Sequence, residues 1–124
     1  MYRQAAVETA DPGRLVVMFY ERLLRELRSG LSAMEQGPDP SDPGQISPVA
    51  REHLQMARNL LNALTQAIDH STGEIADNLT SLYLVFYRQI LEAELEQDTT
   101  RIENILPSIE ELKSAWEEIA AKSD

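Results

Sequence analysis

Residues 68–93 read IDHSTGEIADNLTSLYLVFYRQILEA, and this stretch decides the fold. After a turn at Gly73, the apolar residues recur at helical spacing from about Glu74 to Gln97. At about 100° per residue, Ile75, Leu79, Leu82, Tyr83, Phe86, Ile90 and Ala93 form one stripe. Leu84, Tyr87, Leu91 and Leu95 form a second, well round from the first. The first stripe can fill the core of a helix bundle. The second has to be covered by another helix, by the N-terminal segment or by a partner.

Working outward, three more amphipathic helices are legible. Asp11-Pro12 marks the start of the first, with aspartate as N-cap and proline at a position where its missing N–H costs nothing. Its core stripe is Val16, Phe19, Tyr20, Leu23, Leu27, Leu31 and Met34, and Gly37-Pro38 stops it. Residues 37–48, rich in proline and glycine, predict a loop that opposes both helix and strand. Ser47-Pro48 begins a second helix with an apolar face at Leu54, Ala57, Leu60, Leu61, Leu64, Ala67 and Ile68, ending near His70. Thr100 and Glu103 make a capping-box pattern for the last helix. That helix carries Ile102, Ile105, Leu106, Ile109, Leu112, Trp116 and Ile119 on one face. Pro107 inside it predicts a kink, or a short lead-in helix before a main one. The expected architecture is all-α: an antiparallel four-helix bundle over residues 1–124, with an extended N-terminal segment at 1–10. The long loop at 37–48 leaves room for a crossover.

Composition narrows the function. A chain of 124 residues is one domain with enough length for a real core. There is no cysteine, so neither a disulfide nor a thiolate site is available. No run is apolar enough to insert in a membrane, and the start has no signal-peptide pattern, so a cytosolic protein is expected. The net charge of −10 opposes nucleic-acid binding. That charge is uneven: residues 1–36 are balanced, whereas residues 75–124 carry four basic and eleven acidic groups. Catalytic, cofactor and metal signals are missing. Neither His53 nor His70 has a glutamate three residues before it, as helical carboxylate–histidine metal sites require. Nor do their flanking residues suit a histidine phosphotransfer domain. His53 is expected to be partly buried on the second helix, and His70 to lie in a surface turn. No glycine-rich phosphate loop or nucleophile elbow is present.

The spacing IAxNLxxLYxxxYRxxxEA, from Ile75 to Ala93, resembles the third helix of the FliS family of flagellar export chaperones. Tyr2, Gln4, Val7, Thr9, Ala10, Pro12, Leu15, Met18 and Tyr20 resemble that family's opening. Leu64, Ile68, Asp69 and Gly73 are similar to the end of its second helix. Asp98, Ile105, Leu112, Ala115 and Trp116 are similar to its last. The family often has Asp where this chain has Leu84, and Asn where it has Glu94. The resemblance implies a non-catalytic cytosolic chaperone that binds the C-terminal segment of flagellin, prevents premature polymerisation and delivers the subunit to the flagellar export gate. It makes Tyr2 and Val7 candidates for a displaceable plug over the partner surface. The partner-binding candidates are Tyr2, Val7, Leu15, Met18, Leu84, Tyr87, Leu91 and Leu95. A helical adaptor for another export substrate or regulator is the alternative, with a phosphotransfer domain behind it.

Overall fold

A computed structural model describes residues 12–123. Four helices account for most of it: α1 (Pro12–Glu35), α2 (Pro48–Gln66), α3 (Glu74–Glu96) and α4 (Thr99–Ser123). Asp11, Tyr2, Val7 and the rest of residues 1–11 lie outside the described residues. Each helix packs on its sequence neighbours, and α4 closes the ring against α1. The pairing of Arg28 with Glu110 and of Tyr20 with Trp116 shows α1 and α4 running antiparallel. Arg58 opposite Glu94, with Thr65 near Thr80, shows the same for α2 and α3. The all-α bundle expected from the periodicity is therefore the observed fold, without a crossover.

One core fills the ring. Tyr20, Leu23, Leu24 and Leu27 come from α1, Leu54, Ala57, Leu61 and Leu64 from α2. Tyr83, Phe86, Ile90 and Ala93 come from α3, and Ile102, Ile105 and Ile109 from α4. Trp116, Val16, Leu31 and Met34 pack against this core half-buried. Phe19 and Ile119, expected inside, are exposed. Each lies roughly 90° from the centre of its helix's buried stripe, so it sits on the rim; Leu24 and Ala120 occupy buried positions instead. Ala67 is exposed because α2 has ended at Gln66. Gly30 lets α1 approach α2: a Cβ there would come within 2.6 Å of the Leu54 side chain.

The connections depart most from expectation. The loop after α1 holds a small antiparallel hairpin, β1 (Pro38–Asp39) with β2 (Asp42–Ile46). Its proline residues are tolerated because the ribbon has only two strands, interrupted by an irregularity between Pro38 and Asp39. Asp39 Oδ1 accepts from the Ser41 backbone N–H at 2.9 Å and shapes the reversal. Buried Ile46 pins the end of β2 into the core. Ser47 caps α2 as expected, its hydroxyl accepting from the Ala50 N–H at 3.2 Å. α2 stops four residues earlier than predicted, and His70–Thr72 form a single 3₁₀ turn capped by Asp69.

The start of α4 is also different. The Thr100 N–H donates to Asp98 Oδ1 at 3.0 Å, so Asp98 does the capping and Thr100 is already helical. No break occurs at Pro107: α4 is one helix from Thr99 to Ser123. The proline and Glu103, whose carbonyl it frees, are both on the exposed side, where water can satisfy that carbonyl. The buried ladder through Ile102, Ile105 and Ile109 holds the helix together on the opposite side.

Candidate functional site

α3 is a helix with more apolar surface than its neighbours cover. Glu74 and Asp77 lie in its first turn, favourable to the helix dipole. Gln97 closes it in a left-handed conformation, φ 54°, and its side chain reaches the Pro43 carbonyl of the hairpin at 3.2 Å. Between these ends Phe86 and Ile90 are buried, as expected of the core stripe. Ile75, assigned to that stripe, is 67% exposed. Thr80 already stands beside Thr65, near the last turn of α2, so Ile75 projects past that helix.

The second stripe stays open. Leu84 is 49% exposed, Leu91 37% and Leu95 73%, and Tyr87 is half-buried beside them. Neither neighbouring helix covers this row. Next to it lies an apolar depression of about 240 Å³ between α2 and α3. Leu61, Asn62 and Thr65 form one wall; Thr80, Tyr83, Leu84 and Tyr87 form the other. The Thr65 hydroxyl donates to the Leu61 carbonyl at 2.8 Å, and that of Thr80 to the Ala76 carbonyl at 2.9 Å. With those donors committed to their own helices, the groove is set to take apolar side chains.

Behind the groove stands a buried hydroxyl pair. Tyr83 meets Tyr20 of α1 across the core, hydroxyl oxygen to hydroxyl oxygen at 2.5 Å. Burial pushes the Tyr20 phenol well above its ordinary titration range and raises that of Tyr83, so both stay neutral. At the groove's other end Arg58 of α2 forms a two-bonded ion pair with Glu94 of α3, which is buried. Burial disfavours the Arg58 cation, yet the bonds to Glu94 and Tyr87 outweigh it and hold its pKa above the ordinary value. The acid that departs from the family's Asn thus finds its counter-charge across the helix interface.

Leu15 and Met18 are exposed too, but on α1, at the far side of the ring from α3. Met18 borders a different depression, about 530 Å³, between α1 and α4, together with Val17, Glu117 and Ala120. The six described candidates therefore do not form one patch. Four lie along α3, two on α1, and Tyr2 and Val7 fall outside the described residues. Arg58, Thr65 and Thr80 carry no signal in the sequence; Leu61 reads there as core and Glu94 as a departure from the resembled family. Glu94 did carry a signal, since helical spacing from Tyr83 and Tyr87 places it on the border between the two stripes, where a covered acid needs a cation.

His53 is half-buried, its Nδ1 2.7 Å from Glu26 Oε1, and His70 is exposed in the 3₁₀ turn. Among the described residues no group of His, Asp and Glu could hold a metal ion. No described helix is long and apolar enough to cross a membrane. The family model for the flagellar protein FliS matches residues 1–123. The chain belongs to the FliS family. It is similar to the flagellar secretion chaperone FliS of Salmonella typhimurium, 31% identical over 97% of this chain and 84% of that protein. The FliS of Vibrio cholerae is 29% identical over 95% of this chain and 85% of its own length. That of Bacillus subtilis is 25% identical over 94% and 81%. FliS membership makes this bundle a flagellar export chaperone, not an enzyme.

Proposed function

We propose that this FliS-family protein binds the C-terminal segment of flagellin in the cytosol, keeps it from polymerising prematurely and passes it to the flagellar export gate. The observation that carries the reading is the uncovered row Leu84, Tyr87, Leu91 and Leu95 beside the apolar α2–α3 groove. An amphipathic segment lays side chains spaced one helical turn apart into such a groove. Removing apolar area from water contributes about 25 cal/mol per Å², which offsets the cost of ordering an unfolded segment. Tyr87, Leu91, Leu84 and Leu95 are the main contacts in this scheme, with Leu15 and Met18 a second contact on α1 for a segment long enough to wrap the bundle. The acidic exterior keeps the loaded chaperone soluble while the subunit's association-prone end is covered.

Calorimetric titration with a peptide from the C-terminal end of the cognate flagellin tests the proposal. A one-to-one complex with a clearly negative heat-capacity change is expected. No heat at concentrations well above micromolar removes flagellin as the partner and leaves a helical adaptor for another export substrate.

A further inference from the structure

The Arg58–Glu94 pair has a geometric consequence for the groove. Arg58 Nε donates to Glu94 Oε2 at 2.7 Å, and Nη2 to Oε1 at 3.2 Å. Two bonds to one carboxylate fix the plane of the guanidinium as well as its place. Arg58 and Glu94 side chains are only 19% and 5% exposed, so water competes weakly for either. The guanidinium carbon lies 5.9 Å from the centre of the Tyr87 ring, within reach of the ring's electron-rich face. Tyr87 is the next link, because its ring is part of the groove wall. A buried ion pair gives little stability over a well-packed apolar contact of the same size. Here the pair supplies something an apolar contact cannot, which is a directional hold on one aromatic ring.

Tyr87 needs such a hold. It stands on the edge of the open row of α3 that borders the buried stripe, with exposed Leu84 and Leu91 as its neighbours on the solvent side. A ring with open space on one side can turn about χ1 and lie across the depression. We propose that Arg58 is a positioning residue for partner binding: anchored by Glu94, it holds the Tyr87 ring as the end wall of the α2–α3 groove and keeps the groove open. The inference takes that groove as the flagellin site. Pre-setting the wall spares the partner the cost of moving it, so the effect is on affinity beyond any effect on folding.

The test uses the full chain with isotope-labelled tyrosine rings and the variants Arg58→Met, Tyr87→Ala and the double variant. Arg58→Met keeps the stem of the side chain and removes the fork. In the free protein it is expected to move and broaden the Tyr87 ring signal. It should weaken binding of the flagellin C-terminal peptide by about tenfold. In the Tyr87→Ala background it should cost no further affinity, although it lowers the melting temperature in both backgrounds. A residue that only stabilises the fold would weaken binding equally with and without Tyr87, and that result overturns the proposal. So does an unmoved Tyr87 signal in free Arg58→Met. If the wild-type protein fails to bind the peptide while the Tyr87 signal responds, the flagellin assignment falls and the hold on the ring stands. Should Arg58→Met not fold, Glu94→Gln, which keeps an acceptor but removes the counter-charge, carries the same three measurements with the same directions expected.

Discussion

Phe86 and Tyr87 are adjacent aromatic residues, and one helical step separates two roles. Phe86 is 2% exposed amid the core, whereas Tyr87 stands at the edge with its ring on the groove. Truncating Phe86 to alanine opens a cavity that close-packed neighbours fill only in part, a cost of about 3–5 kcal/mol of stability. Tyr87→Ala removes a half-buried ring next to solvent and should cost roughly half that or less, yet weaken the partner complex. Denaturant unfolding of both variants, with peptide titration of the Tyr87 variant, checks the split. If Tyr87→Ala unfolds the protein as readily as Phe86→Ala, the second stripe is core and the partner surface lies elsewhere. The separation was legible in the sequence because Phe86 falls on one stripe and Tyr87 on the other. What faces Tyr87 was not legible, since nothing local to Arg58 says that it reaches α3.

At the scale of elements, long periodic segments read true and the joints did not. All four helices were visible from apolar spacing, because tertiary burial imposes that period on any helix lying on a core. Pro107 does not split α4 into a lead-in and a main helix. A proline removes one donor and crowds one carbonyl, but on the exposed side of a helix both effects face water, and Ile102, Ile105 and Ile109 still hold α4 to the bundle. The hairpin at 38–46 replaces the expected loop for the opposite reason. Its signal is local turn chemistry at Asp39 and Ser41, while its anchor, Ile46, is a single apolar residue without a period. Likewise, Asp98 rather than Thr100 caps α4, a two-residue ambiguity that sequence patterns leave open. Restoring alanine at position 107 returns a backbone bond on the solvent face, where helix propensity alone favours alanine by about 3 kcal/mol. Pro107→Ala should therefore raise the unfolding free energy, by about 1–3 kcal/mol, with partner affinity unchanged. A drop in stability would show that the proline sets a helix geometry on which the core depends.

For the molecule as a whole, the net charge of −10 and the packing of the ring respond to pH together. The contact between α1 and α2 includes Glu26, which accepts from Arg22 at 2.7 Å and from His53 at 2.7 Å. Burial alone would raise the Glu26 carboxyl, but the bonds from His53 and Arg22 outweigh it and hold its pKa below the ordinary glutamate value. Two other aspartates behave alike: Asp39 is held low by the Ser41 backbone N–H and hydroxyl, and Asp69 by the Ser71 hydroxyl and N–H. A carboxyl whose folded pKa is depressed binds fewer protons in the native state than in the unfolded one. Its contribution to stability is then fully present above the unfolded pKa and is lost as pH falls through the folded one. For Glu26 the loss starts near the ordinary glutamate range, roughly pH 4.5, and continues below it. The expected profile is a plateau in unfolding free energy above that range and a decline beneath it. Glu26→Gln keeps an acceptor for Arg22 but gives up the charge. It should lower the plateau by about 1 kcal/mol and make the acid decline shallower, so that the two profiles converge at low pH. Denaturant midpoints measured across the acid range for both proteins decide it. Parallel profiles would mean that the Arg22–Glu26–His53 contact is not what couples the α1–α2 interface to pH.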